Sequence, residues 1–227
     1  MQNNTDTILV VVAHPDDEVL GCGGMIAKYA SLGSVVHVLF MSDGVNSRDG
    51  ATNKEVTIRQ NSAKESSDIL GIHSVTFLKF PDNKMDSIPL LDIVKEIEKI
   101  IIDLQPNIIY THHLGDLNID HQITHRAVIT ACRPKPGFCI KEIYTFEVPS
   151  STEWQTPGYL TFTPNVYIDI SAEMEIKRKA LEVYSDEMHQ SPHTRSIKNV
   201  VRLNALRGNS TGMDYAEAFT LIRCLRD

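Results

Sequence analysis

The chain has 227 residues, 42% of them hydrophobic, and a formal net charge of −7. This length and composition favour one domain with a sizeable core, and the acidic balance argues against nucleic acid as a partner, because phosphate binding depends on clustered Lys and Arg. No apolar run approaches the roughly 20 residues that cross a bilayer, and residues 1–6 lack the regions of a signal peptide. We therefore expect a cytoplasmic protein without a transmembrane segment, with its four cysteines reduced.

Hydrophobic runs predict an alternation of strands and helices along the chain. Continuous β-branched runs favour strands covered on both faces, and apolar residues spaced by three and four favour helices between them. Strands are predicted at residues 8–13, 35–41, 75–78, 108–110, 143–146 and 166–170, helices at 19–32, 54–70, 88–104, 173–187, 195–207 and 214–225, and a long loop at 147–165. This order predicts a single-domain α/β fold of the Rossmann-like type, with a mostly parallel sheet, helices on both faces and a helical C-terminal third.

The segment AHPDDEVLGCGG follows the first predicted strand and places His14 beside three carboxylates. A helix begins favourably with a proline and acidic residues, which accounts for the carboxylates but not for His14. His14 and Asp17 lie three residues apart across a strand-to-helix turn, where an imidazole nitrogen and a carboxylate oxygen can point at one centre. That pair suits Zn²⁺ or a similar first-row ion, and a catalytic zinc site takes three protein ligands. A third ligand is therefore required.

The segment THHLGDLNIDHQITH offers four histidines for that third position. His112 and His113 follow a predicted strand, at the carboxyl edge where ligands collect in open α/β sheets. His121 and His125 would share one helical face, with Asp120 as the helix N-cap. Composition and spacing leave all four open.

Taken together, these two segments resemble the PIG-L/LmbE-like family of metal-dependent N-deacetylases, which remove acetyl from N-acetylglucosamine-type sugars, usually with zinc. The resemblance extends over nearly the whole chain. It includes IRQNSAKESSDILGI at 58–72, FPDN at 80–83, YIDIS at 167–171, PHTRS at 192–196 and DYAEAF at 214–219. It implies an LmbE-like deacetylase domain over residues 1–227 and a small-molecule amino-sugar conjugate as substrate.

The resemblance also implies roles for individual residues. His14, Asp17 and His121 would hold the metal, which is zinc or another divalent first-row ion such as Fe²⁺. Asp16 would be the general base, acting on water that the metal activates, and Asp120 would be a supporting carboxylate of the catalytic machinery. The remaining histidines of the segment would then not be ligands.

Substrate contacts are implied for Arg59 and Asp82, with Asp43 and Arg195 as further candidates. Many relatives carry HPDH where this chain has NIDH, so Asn118 replaces a histidine that can stabilise the oxyanion. An asparagine amide donates a hydrogen bond but does not titrate. His193, within PHTRS, is the candidate that would supply a catalytic imidazole instead.

Two other classes compete with a deacetylase. A nucleotide-binding Rossmann protein is disfavoured because Gly21, Gly23 and Gly24 fall after the helix has begun, rather than in the strand-to-helix turn where a pyrophosphate needs bare backbone. A non-catalytic metal- or sugar-binding protein is disfavoured because a pure binding site does not need Asp16. A homo-oligomer is compatible with the sequence.

Overall fold

Seven strands and six α-helices are found in the computed structural model, which describes residues 5–47, 50 and 52–226. The strands are β1 (Thr7–Val12), β2 (Val35–Ser42), β3 (Ser74–Phe80), β4 (Ile108–His112), β5 (Glu142–Phe146), β6 (Val166–Asp169) and β7 (Ala216–Cys224). The helices are α1 (Asp17–Ser31), α2 (Asn53–Leu70), α3 (Leu90–Leu104), α4 (Ile119–Ala131), α5 (Met174–Val183) and α6 (Ile197–Asn209). Short 3₁₀ turns occupy Met85–Ser87 and Thr152–Trp154.

The strands form one sheet in the order β3-β2-β1-β4-β5-β7-β6. Strands β1 to β5 pair in parallel, and β7 pairs antiparallel with both β5 and β6. The crossover order places β1 and β4 next to each other at the centre of the sheet, so the loops that follow them lie side by side at the carboxyl edge. The predicted mostly parallel Rossmann-like fold is confirmed.

The two faces of the sheet bury separate apolar cores. Alternate residues of β1 serve each face because successive strand side chains point to opposite sides. Ile8, Val10 and Val12 pack with residues of α1, α5 and α6, whereas Leu9 and Val11 pack with residues of α3 and α4. Helices therefore cover both faces, as the continuous apolar character of β1 predicts.

The predicted helix at residues 214–225 is wrong, because this segment is strand β7. It pairs with β5 on one side, where Phe219 lies opposite Phe146, and with β6 on the other. The sequence AEAF has good helix formers, but two flanking strands and the burial of Phe219 against Tyr110 outweigh that weak local preference. The C-terminal third is thus helical in α5 and α6 and ends in a strand.

Among the described residues, no helix is both long and apolar enough to cross a membrane. All four cysteines are free thiols.

Candidate metal centre

The turn between β1 and α1 presents two carboxylates at the carboxyl edge of the sheet. Asp16 is the N-cap of α1 and has a φ of 121°, a conformation that side-chain-bearing residues rarely adopt. The Glu18 carboxylate accepts hydrogen bonds from the Asp16 backbone N–H at 2.9 Å and from the Tyr184 hydroxyl at 2.6 Å. Burial raises the pKa of Glu18 to about 8. The buried Glu18 therefore holds the strained turn that directs Asp16 and Asp17 into the site.

Three imidazoles surround one oxygen of Asp17. Asp17 Oδ2 lies 3.3 Å from His14 Nδ1, 3.3 Å from His121 Nε2 and 3.5 Å from His112 Nε2. His112 Nε2 accepts the backbone N–H of Ala13 at 2.9 Å, which commits its lone pair. Three possible ligand atoms, one nitrogen of His14, one nitrogen of His121 and one oxygen of Asp17, all lie within 4.8 Å of one another. These are the three residues that the family resemblance implies as ligands.

The charges of this cluster fit a cation. Burial alone would lower the pKa of His121, but the carboxylates of Asp17 and Asp116 raise it to about 9. Burial alone would raise the pKa of Asp17, but His121 and His112 hold it well below its usual range. Two imidazole nitrogens and one ionised carboxylate thus share a buried space that favours positive charge, and this donor set suits Zn²⁺ or Fe²⁺.

The opposite edge of the His14 ring faces a second pair of carboxylates. His14 Nε2 lies 3.2 Å from Asp82 Oδ1 and 3.3 Å from Asp120 Oδ2, so these three residues also satisfy the geometry of a cation site. Both carboxylates accept backbone N–H groups at 2.7–3.0 Å, as Asp17 Oδ2 also does from His14 at 2.9 Å, and carboxylates beside a ligating histidine commonly orient its ring. The backbone donors are those of Ser47, Asn83 and Met85.

Asp16 is buried and faces two guanidinium groups. Its Oδ2 lies 3.2 Å from Arg195 Nη1 and 3.7 Å from Arg59 Nη1. Burial raises the pKa of Asp16, although Arg195 and Arg59 oppose that shift. Arg59 also donates to the Pro15 carbonyl at 2.7 Å and pairs with Glu187. Asp16 is therefore a desolvated carboxylate, which is a stronger proton acceptor than an exposed one.

One polar cavity of about 230 Å³ is lined by most of the side chains described above. Since a water molecule occupies roughly 30 Å³ in the liquid, the cavity has room for a group the size of a sugar ring. Its lining includes His14, Asp16, Asp17, Arg59, Asp82, Asn118, His121 and Arg195.

Asn118 occupies the N-cap of α4, where its side chain accepts the Asp120 N–H at 2.8 Å. The expectation that Asp120 is the N-cap is thus wrong, since Asp120 lies inside the first turn with both carboxylate oxygens engaged by residues 83 and 85. The Asn118 amide donates to Asn83 Oδ1 at 2.9 Å and lines the cavity. It therefore joins the two loops that face His14.

The other candidate histidines make contacts outside the cavity lining. His125 Nδ1 bonds the His112 carbonyl at 2.8 Å, and His113 Nε2 bonds the Leu160 carbonyl at 2.5 Å. The half-buried His193 ring packs against Trp154 and His189, and its Nδ1 accepts the Arg195 N–H at 3.0 Å. His193 is not among the described residues that line the cavity. Its suggested catalytic role stays a prediction.

Several residues of this site could not be predicted from the sequence. Asp116 lies 3.2 Å from His121 Nδ1, Glu187 pairs with Arg59, and Tyr184 donates to Glu18. Asp116 stands in the turn-like GDLN stretch, where an aspartate is an ordinary loop residue. Glu187 and Tyr184 meet their partners only through the tertiary fold, so no local pattern marks them.

The model of the PIG-L family, GlcNAc-PI de-N-acetylase, matches residues 9–132. An uncharacterized deacetylase of Escherichia coli K12, YaiS, is 30% identical over 186 residues, which cover 79% of this chain and 91% of the relative. Diacetylchitobiose deacetylase of Thermococcus kodakarensis is 27% identical over 97% of this chain and 84% of the relative. 4-Oxalmesaconate hydratase of Pseudomonas putida is 28% identical over 83% of this chain and 77% of the relative.

Solved structures share the fold. The N,N'-diacetylchitobiose deacetylase of Pyrococcus horikoshii superposes with a TM-score of 0.79 at 22% identity, covering 98% of this chain and 86% of that one. The matched residues 9–132 contain His14, Asp16, Asp17 and His121. The chain belongs to the PIG-L family of N-acetylglucosaminyl deacetylases.

Proposed function

We propose that the chain is a metal-dependent N-deacetylase that hydrolyses the acetamide of an N-acetylglucosamine-type sugar or glycoconjugate. The observation that carries this proposal is the position of Asp16. A buried carboxylate faces the same cavity as the complete ligand set of His14, Asp17 and His121. Metal binding alone does not require this additional carboxylate, whereas hydrolysis requires a proton acceptor beside the attacking water.

In this proposal, His14, Asp17 and His121 hold Zn²⁺ or Fe²⁺. A divalent ion there supplies Lewis acidity for the acetyl carbonyl and lowers the pKa of water. Asp120 fixes the His14 ring from its far side, and Asp116 fixes the His121 ring. These outer carboxylates keep the ligating nitrogens directed at one point.

Asp16 moves the proton in the proposed reaction. It accepts a proton from the water whose oxygen attacks the acetyl carbon. It then delivers that proton to the sugar nitrogen as the C–N bond breaks, so acetate and a free amine leave. Burial raises the pKa of Asp16, and the charges of Arg195 and Arg59 oppose that rise.

The sugar is held by polar residues of the cavity wall. Arg59 and Asp82 both line the cavity and offer donors and acceptors to hydroxyl groups. Asn118 lies at the same wall, and its amide is suited to bond the acetamide oxygen. His193 is retained as a candidate for the catalytic imidazole.

The test is acetate release from a panel of N-acetylglucosamine conjugates by metal-loaded protein, with Asp16→Asn as the matched variant. We expect acetate release by the wild type and its loss in the variant, which keeps its metal. Because one relative is a hydratase, hydration of 4-oxalmesaconate is measured in parallel. Hydration without acetate release, or metal retention without any turnover, would overturn the proposal.

A further inference from the structure

We infer that residues 150–152, in the loop after β5, form a positioning segment that holds the general base from one side and a metal ligand from the other. The inference rests on the proposed function. Each of the three side chains bonds a charged group one step removed from Asp16 or His121. One short segment thus connects two parts of the site that lie on different elements.

The first arm runs from Ser150 to Asp16. The Ser150 hydroxyl oxygen accepts a hydrogen bond from Arg195 Nε at 2.8 Å, and Arg195 Nη1 lies 3.2 Å from Asp16 Oδ2. A guanidinium is planar and rigid, so fixing its Nε directs its terminal nitrogens. Ser150 therefore determines how Arg195 meets the carboxylate of the base.

The second arm runs from Ser151 and Thr152 to His121. Both hydroxyls donate to Asp116, Ser151 to Oδ1 and Thr152 to Oδ2, the latter at 2.6 Å. Asp116 Oδ1 lies 3.2 Å from His121 Nδ1, opposite the ring nitrogen that faces Asp17. Ser151, Thr152 and Asp116 are all buried. The hydroxyls of Ser151 and Thr152 thus orient the Asp116 carboxylate, which in turn orients the His121 ring.

The local backbone is built to present these three side chains. Ser150 has a φ of 68°, a conformation that is unfavourable for a residue other than glycine or asparagine. The Glu153 carboxylate accepts the N–H groups of Ser150 at 2.7 Å and Ser151 at 3.2 Å. Thr152 exchanges hydrogen bonds with the Val148 backbone at 2.8 and 3.0 Å. Strain retained under such restraint is typical of functional segments.

The metal arm is tested without turnover. Zn²⁺ affinity is measured by chelator competition for Ser151→Ala/Thr152→Ala and for Thr156→Ala, an exposed residue of the same loop, as the control. We expect affinity to fall about 10–100-fold in the double variant and to stay unchanged in the control, as for other supports of ligating histidines. Thr152→Ser should retain affinity. Should the double variant not fold, Thr152→Val replaces it; wild-type affinity in the folded variant would overturn the inference.

The base arm is tested with two substitutions at one position. Ser150→Gly accepts the positive φ but removes the hydroxyl, whereas Ser150→Asn accepts the same φ and keeps a side-chain acceptor. We expect kcat for acetate release to fall on the order of 10-fold in Ser150→Gly, with KM and Zn²⁺ affinity unchanged. Ser150→Asn should retain most of kcat. Equal kcat in wild type and Ser150→Gly would contradict the inference.

The two proposals fail differently. If wild-type protein releases acetate from no substrate, the proposed function fails. The inference is then decided by the Zn²⁺ affinities of the variants at 151 and 152. If acetate is released but neither Zn²⁺ affinity nor kcat responds to these substitutions, the function stands and the positioning role falls.

Discussion

Replacing Glu217 tests how the fold secures the turn that carries Asp16. Helix α1 is kinked at Cys22, where φ is −149°. The Glu217 carboxylate, on β7, accepts the two N–H groups after the kink, from Gly24 at 2.8 Å and Met25 at 2.7 Å. It thereby caps the second half of the helix from a distant strand.

Lys177 completes this support. Its ammonium group donates to Glu217 Oε1 at 2.6 Å and to the Leu20 carbonyl at 3.1 Å, and both charged side chains are at most 1% exposed. Glu217→Ala leaves the Lys177 charge buried without its partner. Breaking one side of a buried ion pair costs about 3–5 kcal/mol of unfolding free energy. At this chain length, that corresponds to a fall in Tm of roughly 6–20 °C.

The assay is thermal and urea unfolding followed by circular dichroism. Glu175→Ala, an exposed ion-pair residue on the same helix as Lys177, is the control and should change stability little. The double variant Lys177→Met/Glu217→Gln should be more stable than Glu217→Ala, because it removes both charges. A loss below about 1 kcal/mol in Glu217→Ala, or no recovery in the double variant, would refute the reasoning.

Three further predictions concern the site. Asp16→Asn should keep its metal, measured by elemental analysis, and lose roughly 10²–10⁴-fold in acetate release, since general-base catalysis is worth that much; loss of metal would instead make Asp16 a ligand. His121→Ala should weaken Zn²⁺ binding in chelator competition, whereas His125→Ala should not, because His125 bonds a backbone carbonyl; the reverse order would exclude His121. Metal-free protein should lose stability as pH rises from about 6.5 towards 9, because the pKa of His121 is raised beside Asp17 and Asp116, so that the stabilisation by its protonated form is complete below this range and is lost progressively across it. Urea unfolding across this pH range measures the fall, which should be smaller in zinc-loaded protein because the buried Glu18, with its pKa raised to about 8, still contributes to it; a flat profile in the metal-free protein would contradict the prediction.

Much of the sheet could be predicted because its strands are buried on both faces. The run that forms β1 is continuously apolar and the run that forms β2 is interrupted by His37, a pattern typical of strands covered on both faces. The end of helix α2 could also be predicted, since Gly71 ends it in the left-handed conformation that glycine favours. Strand β7 was not, because its first residues prefer helix and its strand character depends on β5 and β6 lying beside it.

The candidate site also contains both residues that the sequence could predict and residues that it could not. The pairing of His14 with Asp17 was predictable from three-residue spacing across one turn, whereas the choice of His121 depended on family resemblance. Residues 150–152 escaped prediction because they bond Asp116 and Arg195, which lie more than 30 positions away in the chain, whereas Asp116 escaped it because an aspartate in a GDLN turn is an ordinary loop residue. The contacts of residues 150–152 are long-range, whereas sequence patterns report short-range ones.

The most direct test of the central claim is a Zn²⁺ titration of metal-free protein during acetate release from its best N-acetylglucosamine conjugate. The proposed site of His14, Asp17 and His121 predicts that the rate rises linearly and levels at one equivalent per chain, and that His121→Ala shifts the rise to much higher Zn²⁺. A rate that is independent of added metal, or a His121→Ala curve that matches the wild type, would contradict the account.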